Sequence, residues 1–196
     1  MRTIVSQMPE WSHYIKGHDT LTLGYPWFAL GAILTMERLC QQSWKVLELG
    51  SGGSTLFWAR RCGSVQSYET DPTWAQLVRE AVKGLSATVT YCASVEMIRQ
   101  ALATLAPHSV DLLVIDHDDP ERHAIGRNPI RLPLALDALP LLKPGGWLIV
   151  DNYDSFGMHA FDWSGFQTFT FDEVGGFNKW RRYSGRGTRL GQRVVA

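Results

Sequence analysis

From Lys45 onward the chain alternates short apolar runs with stretches in which apolar residues recur every three or four positions. This is the pattern of a parallel sheet covered by helices on both faces. The strands it predicts are Lys45–Leu49, Ser64–Glu69, Ala87–Cys92, Asp111–Asp116 and Trp147–Asp151. All are too short for helices, and two are nearly all apolar, as doubly covered parallel strands are. Between them, Asp71-Pro72 reads as an N-cap followed by proline at the first helical position. Trp74, Leu77, Val78, Ala81 and Val82 then form one stripe, which stops at Gly84. A second helix is expected from Ser94 through Val95, Ile98, Leu102 and Leu105 up to Pro107, and a third over Ile130 to Leu142, its limits blurred by Pro133 and Pro140. After Asp151 the pattern changes: Phe166, Phe169 and Phe171 mark one strand and Thr188–Val195 another, so the sheet should end in an antiparallel pair. Upstream, a helix over Phe28–Gln41 follows the aromatic segment Gly24-Tyr25-Pro26-Trp27, which reads as a lid or substrate wall. The expectation is one domain over residues 1–196, with a helical lid segment at 1–44 and a doubly wound, mostly parallel sheet at 45–196. No internal repeat interrupts it.

Composition narrows the partners. A chain of 196 residues suits one core and one site. Lys plus Arg (19) equals Asp plus Glu (19), so no global field concentrates nucleic acid or an anionic membrane. Cys40, Cys62 and Cys92 are odd in number and lack a CxxC spacing, which argues against a disulfide framework and a zinc site and for a reducing, cytoplasmic setting. No apolar run approaches the ~18 residues that span a bilayer. The histidines include no HxxxH pair. Lys179, Arg181, Arg182, Arg186, Arg189 and Arg193 leave two readings open: a basic groove for a phosphorylated or carboxylated substrate or RNA, or a solvated loop beside an edge strand. The polar stretch from His117 to Asn128 follows a predicted strand, where open α/β sheets bind ligands.

The most informative segment is Val46-Leu47-Glu48-Leu49-Gly50-Ser51-Gly52-Gly53-Ser54-Thr55, a strand running through a glycine-rich turn into a helix. Glycine lets the backbone turn sharply and approach a ligand, and a helix N-terminus offers unpaired N–H groups. A side chain at Gly50 or Gly52 is expected to fill the ligand's space or demand a disfavoured backbone conformation. A dinucleotide fingerprint would need glycine where the chain has Thr55, and its pyrophosphate would be repelled by Glu48 beneath the loop. A cofactor carrying an amino acid and a sulfonium has no phosphate and tolerates that acid. The next strand ends in Glu69, near the ~20-residue spacing expected for a ribose-binding carboxylate.

The order Glu48-x-Gly50-x-Gly52, Glu69, Asp111-Leu-Leu-Val-Ile-Asp116 and Leu142-Lys-Pro-Gly-Gly-Trp-Leu-Ile-Val-Asp151 resembles class I S-adenosylmethionine-dependent methyltransferases from about Lys45 to Asn152. The turn followed by Ser54-Thr55, and the phrase Tyr68-Glu69-Thr70-Asp71-Pro72-Thr73-Trp74, are especially similar to small-molecule enzymes of that class. The resemblance implies a Rossmann-like seven-stranded sheet with an antiparallel C-terminal strand. It implies that Glu48, Gly50, Ser51, Gly52, Gly53 and Ser54 hold the methionine end of S-adenosylmethionine, Glu69 and Thr70 its ribose, and Ala93 and Ser94 its adenine, with Asp116 and His117 also at the cofactor. A narrower similarity is to catechol O-methyltransferase-like enzymes, which place Asp-His after the fourth strand and Asp-Asn after the fifth. That likeness implies a magnesium ion held by Asp116, Asp151 and Asn152. Those enzymes carry a lysine base two residues after the histidine, whereas this chain has Asp119. Either the base differs, with His117 or Asp119 as candidates, or the metal alone acidifies the nucleophile, or there is no metal and Asp116, Asp151 and Asn152 form a polar clamp.

The function implied is methyl transfer to an oxygen or nitrogen of a small acceptor. The missing lysine keeps open a non-catalytic, cofactor-binding scaffold, and Thr55 and Glu48 disfavour a dehydrogenase. A nucleic-acid acceptor is disfavoured because no Asn/Asp-Pro-Pro-Tyr/Phe motif follows the fourth strand.

Overall fold

The computed structural model describes residues 20–117, 130–154, 157–171 and 187–195. Along the chain come α1 (Thr20–Leu23), α2 (Leu30–Leu39), β1 (Lys45–Leu49), α3 (Gly53–Ala59), β2 (Ser64–Glu69), α4 (Pro72–Ala81), β3 (Ala87–Tyr91), α5 (Val95–Ala103) and β4 (Val110–Ile115). After β4 come α6 (Arg131–Ala138), a 3-10 turn (Leu139–Leu141), β5 (Leu142–Asp151), β6 (Phe166–Phe171) and β7 (Thr188–Arg193). The strands form one seven-stranded sheet in the order β3-β2-β1-β4-β5-β7-β6. β1 to β5 are parallel, and β7 runs antiparallel to both β5 and β6. This is the doubly wound sheet the alternation implies and the Rossmann-like arrangement the resemblance implies. Its order reverses between β1 and β4, which opens a crevice beyond their carboxyl ends.

Period-two alternation sorts the strand residues into two cores. Val46, Leu112, Val114 and Ile149 pack with α2 and α3 on one face, through Ile33, Met36, Phe57 and Trp58. Leu47, Leu49, Leu113, Ile115, Leu148 and Val150 pack on the other face with Ile98 and Leu102 of α5 and Leu134, Ala135 and Ala138 of α6. Because Glu48 lies between Leu47 and Leu49, the same alternation turns it towards the face that α3 covers. A third cluster seats Ala75 and Val78 of α4 against Val89 of β3 and Leu56 of α3.

Local signals explain most of the element limits. The Asp71 carboxylate accepts from the Trp74 N–H at 2.8 Å to cap α4, and Gly84 leaves that helix's end with φ +83°. Ser94 caps α5 through the Met97 N–H at 3.3 Å. Three expectations need correction. β5 begins at Leu142, not Trp147: Val110 pairs with Leu142, then the register shifts so that Leu112 pairs with Trp147, making Lys143-Pro144-Gly145-Gly146 a bulge inside the strand. α6 stops at Ala138, because Pro140 cannot donate the next helical hydrogen bond and a 3-10 turn follows. The lid helix is confined to Leu30–Leu39, with the short α1 ahead of it. No helix among the described residues is long and apolar enough to cross a membrane.

Candidate functional site

The carboxyl ends of β1, β2, β4 and β5 meet at the crevice, and each delivers an acidic side chain to it. At β1, Glu48 is 1% exposed, and its Oε2 accepts from Thr55 Oγ1 at 2.7 Å and Ser67 Oγ at 2.6 Å. Thr55 Oγ1 in turn accepts from the Gly52 N–H at 2.9 Å, so the acid pins the turn to the first turn of α3. Glu48 Oε1 has no hydrogen-bond partner among the described residues, although the Ser54 hydroxyl bears on the same carboxylate. Burial pushes the carboxyl up to about 7, against the hydroxyls of Ser54, Ser67 and Thr55, which hold it down.

Gly50 and Gly52 both take a positive φ, the backbone conformation that the sequence expectation offered as one reason for glycine. Gly50 has φ +102°, and a Cβ there would sit 3.0 Å from the Asp116 carbonyl oxygen, so backbone rather than ligand fills that space. A Cβ on Gly53 would fall inside the contact distance of the Thr20 and Tyr25 carbonyl oxygens, because the lid segment crosses the start of α3 there. Gly52, at φ +155°, has only ordinary contacts, with the Trp74 ring and Thr20.

At the end of β2, Glu69 is 7% exposed and accepts from the Thr70 and Asp71 N–H groups at 2.8 and 3.0 Å and from Ser51 Oγ at 2.9 Å. Burial raises its pKa, and these donors oppose the rise. The Trp74 indole donates to the Ser51 carbonyl at 2.8 Å, which ties α4 to the glycine turn. Thr70 Oγ1 lies buried without a hydrogen-bond partner among the described residues. Ala93 and Ser94 follow β3 beside this site, where the Cys92 N–H donates to the Glu69 carbonyl at 2.8 Å. Both are exposed, and the Ser94 hydroxyl serves as a helix cap.

The ends of β4 and β5 are joined by a residue that the sequence reading did not single out. Arg131, 3% exposed, enters from the first turn of α6. Its Nη2 lies 3.1 Å from Asp116 Oδ1, and its Nη1 donates to Asn152 Oδ1 at 3.1 Å and to the Asp151 carbonyl at 2.8 Å. Its Nε donates to the His117 carbonyl at 2.7 Å. Asn152 itself sits in the left-handed region at φ +51°. The Asp151 carboxylate accepts from Thr188 Oγ1 at 2.7 Å, and that hydroxyl accepts from the Ala29 N–H at 2.9 Å, linking the strand end to the lid segment. Burial, then the charge of Asp116, pushes Asp151 up to about 8, while Arg131 and Thr188 pull the other way.

The residues expected to hold magnesium, Asp116, Asp151 and Asn152, therefore do come together, but they do not fit the ion. A guanidinium already bonds Asp116 and Asn152, and an ion on the same oxygens would meet a fixed positive charge at contact range. Asp151 Oδ1 accepts from Thr188, and burial with the charge of Asp116 raises the carboxyl to about 8, which favours a proton over an ion there. Among the described residues, no group of three or more His, Cys, Asp or Glu side chains is placed to hold a metal. His117 is fully buried, while the Asp116 side chain is 27% exposed. Asp119 lies outside the described residues, as do Lys179, Arg181, Arg182 and Arg186. Arg189 stacks 4.0 Å over the Tyr153 ring and Arg193 donates to the Leu142 carbonyl at 2.5 Å, so these two brace β7 against the two ends of β5.

A doubly wound sheet whose order reverses beside a glycine turn places its crevice where open α/β folds bind ligands, and the carboxylates of Glu48 and Glu69 lie buried at that point. The methyltransferase-domain family matches residues 47–153, and the chain belongs to that family. No curated protein matches the sequence. Among solved structures, the chain is similar to the cofactor-bound protein Rv0187 from MTB at 22% identity and a TM-score of 0.56, over 79% of this chain and 75% of that one. A Klebsiella pneumoniae protein provisionally assigned as an O-methyltransferase matches at 21% identity and a TM-score of 0.59, over 96% of this chain and 100% of that one. An rRNA methylase from Streptococcus thermophilus matches at 12% identity and a TM-score of 0.60, over 84% of this chain and 96% of that one. At these identities the likeness is one of fold, and the fold is shared by enzymes with unlike acceptors.

Proposed function

We propose that the chain is an S-adenosylmethionine-dependent methyltransferase that methylates an oxygen or nitrogen of a small acceptor. The observation that carries this reading is Glu48, a buried carboxylate with one oxygen unpartnered beneath the glycine turn, in a chain of the methyltransferase-domain family. An acid there suits the ammonium and sulfonium of such a cofactor and repels a pyrophosphate. Glu69 keeps acceptor capacity for ribose hydroxyls after its three protein donors, since each carboxylate oxygen carries two lone-pair sites. Ser51, Gly52, Gly53 and Ser54 would line the amino-acid end, Thr70 the ribose, and Ala93 with Ser94 the adenine.

Bound cofactor would supply a sulfonium methyl, taken in line by the acceptor's lone pair as the carbon–sulfur bond breaks and the thioether leaves. The protein's part is alignment and charge placement. Asp116, partly open at the end of β4, accepts a hydrogen bond from the acceptor's O–H or N–H and takes its proton, while fully buried His117 shapes the wall behind it. The thiols of Cys40, Cys62 and Cys92 are free, in keeping with a reducing compartment such as the cytoplasm. A non-catalytic cofactor-binding module is the second reading, favoured by Asp119 where the resembled enzymes carry lysine.

Calorimetry with S-adenosylmethionine and S-adenosylhomocysteine tests the assignment. Both should bind, and Glu69→Ala should weaken them by roughly 10-fold or more, the loss of a charge-assisted hydrogen bond. Folded wild type that binds neither would overturn the assignment. A screen of small phenols, acids and amines with tritiated cofactor separates the enzyme from the scaffold.

A further inference from the structure

We propose that Arg131 is the resident cation of this site: its guanidinium stands among the oxygens of Asp116, Asp151 and Asn152, the residues to which the catechol O-methyltransferase-like resemblance would assign a divalent ion, orients Asp116 towards the acceptor, and makes the site indifferent to metal. The inference rests on the methyltransferase reading for its catalytic meaning and on Arg131's own contacts for its geometry.

Among the described residues, Arg131 meets the ends of β4 and β5 at five oxygens. They are Asp116 Oδ1 and Asn152 Oδ1, both at 3.1 Å, and the carbonyls of His117 at 2.7 Å, Asp151 at 2.8 Å and Asp116 at 3.4 Å. Carboxylate, amide and carbonyl oxygens are also the donor set that a hard divalent ion selects. Guanidinium and ion are therefore alternatives for one set of acceptors. The planar fork of Arg131 satisfies several of them at once, at fixed angles.

The guanidinium is not a surface charge that could swing away. Its helix is anchored through Leu134, Ala135 and Ala138, all at most 1% exposed, and the charge lies inside that apolar contact. Three consequences follow at the site. Asp116 has one oxygen fixed on Nη2, which sets the plane of its carboxylate. Asn152, in its left-handed conformation, is held by Nη1 through both its own side chain and the preceding carbonyl. The charge of Asp116 is paired with a cation that needs no supply from solution, while Asp151, pushed up to about 8, meets Arg131 through its backbone carbonyl. Arg131 acts through Asp116 and is a positioning residue. With no ion to chelate, the site recognises its acceptor through a single hydrogen-bonding O–H or N–H, and a pair of adjacent oxygens is not required.

The test uses the full chain, with Mn2+ as the probe. Thermal melts in EDTA, MgCl2 and MnCl2 are combined with the electron paramagnetic resonance signal of free Mn2+. Wild type should melt identically in all three and leave the Mn2+ signal undiminished. Arg131→Ala exposes Asp116, Asn152 and the carbonyls to solvent, so it should melt lower, take up Mn2+ and regain part of its melting temperature with it. Arg131→Lys should keep wild-type indifference to Mn2+. Should the alanine variant not fold, Arg131→Gln, which keeps volume but not charge, carries the same comparison. Wild type that takes up Mn2+, or that loses stability in EDTA and recovers it in MgCl2, overturns the proposal. So does a folded, neutral Arg131 variant that ignores Mn2+, because an arginine serving structure alone would lower the melting temperature without opening a cation site. None of these readouts uses S-adenosylmethionine, so failure here is distinguishable from failure of the methyltransferase reading, which would appear as absent cofactor binding.

Discussion

Glu48→Gln separates what the buried acid does for the cofactor from what it costs the fold. In the free protein, burial raises the Glu48 carboxyl from the ordinary carboxylate range to about 7. The folded state therefore holds this proton more tightly than the unfolded chain, and stability falls as pH rises from the unfolded value through about 7. A shift of that size corresponds to about 3 kcal/mol, fully present as stability at acid pH and lost above neutrality. Glutamine can keep an oxygen for Thr55 and Ser67 but does not titrate. Any fixed cost of its amide group is the same at every pH, so it cancels when the variant is compared with wild type at two pH values. Urea unfolding at about pH 5 and about pH 8 should show the variant gaining on wild type by up to about 3 kcal/mol between them. S-adenosylhomocysteine, which retains the ammonium, should bind the variant about 10-fold more weakly or worse. If the stability difference between variant and wild type is the same at both pH values, Glu48 is not a strained acid and the argument for a cation above it fails.

Three further outcomes follow from single contacts. Gly53→Ala drives a Cβ into the carbonyls of Thr20 and Tyr25 and should cost about 1–3 kcal/mol, with faster hydrogen exchange in the lid segment; an unchanged melting temperature would show that the segment yields freely. Asp71→Ala removes the cap of α4 and should cost about 1 kcal/mol in urea unfolding, a loss that retention of full stability would contradict. Thr188→Val leaves the Asp151 carboxyl and the Ala29 N–H without their shared hydroxyl and should cost about 1–3 kcal/mol, with exchange at Ala29 as the specific readout; protection there equal to wild type would mean that the link is idle.

The sheet was legible because its signals are local and redundant. The short apolar runs of β1 to β5, the Asp71-Pro72 start of α4 and the change of pattern after Asp151 are each read from residues within a few positions of one another. The misplaced limits share a cause. Leu142 joins β5 because Val110 of a different strand pairs with it across a bulge, and nothing in Lys143-Pro144-Gly145-Gly146 announces a pairing partner. From sequence, Gly50 and Gly52 read as positions that tolerate no side chain; packing excludes one at Gly50 and at Gly53, which that reading did not single out, while Gly52 has only ordinary contacts and a positive φ. What excludes the side chain is the Asp116 backbone at Gly50 and the Thr20 and Tyr25 backbone at Gly53, and both come from elements distant in sequence. The turn was thus recognisable from its composition, while the reason for the composition needed the tertiary contacts.

The strand-end acids show the same division more sharply. Asp116 and Asp151 end neighbouring strands, and two carboxylates at that separation require a proton or a cation between them. That requirement can be derived from sequence, but the identity of the cation cannot be settled from the strand ends alone. Arg131 lies in the helix after the β4 connection, where it takes the first position of a stripe completed by Leu134, Ala135 and Ala138. Spacing of i, i+3, i+4 and i+7 commits a side chain to the core face. A charge at such a position is almost never buried unpaired. The stripe therefore contained a signal in its one discordant residue: an arginine forced inward must end on acceptors, and the acceptors at that end of the sheet are the carboxylate, amide and carbonyl oxygens of Asp116, His117, Asp151 and Asn152. The electrostatic need and the misplaced charge are two halves of one interaction, and reading them together replaces a metal ion with a residue of the chain.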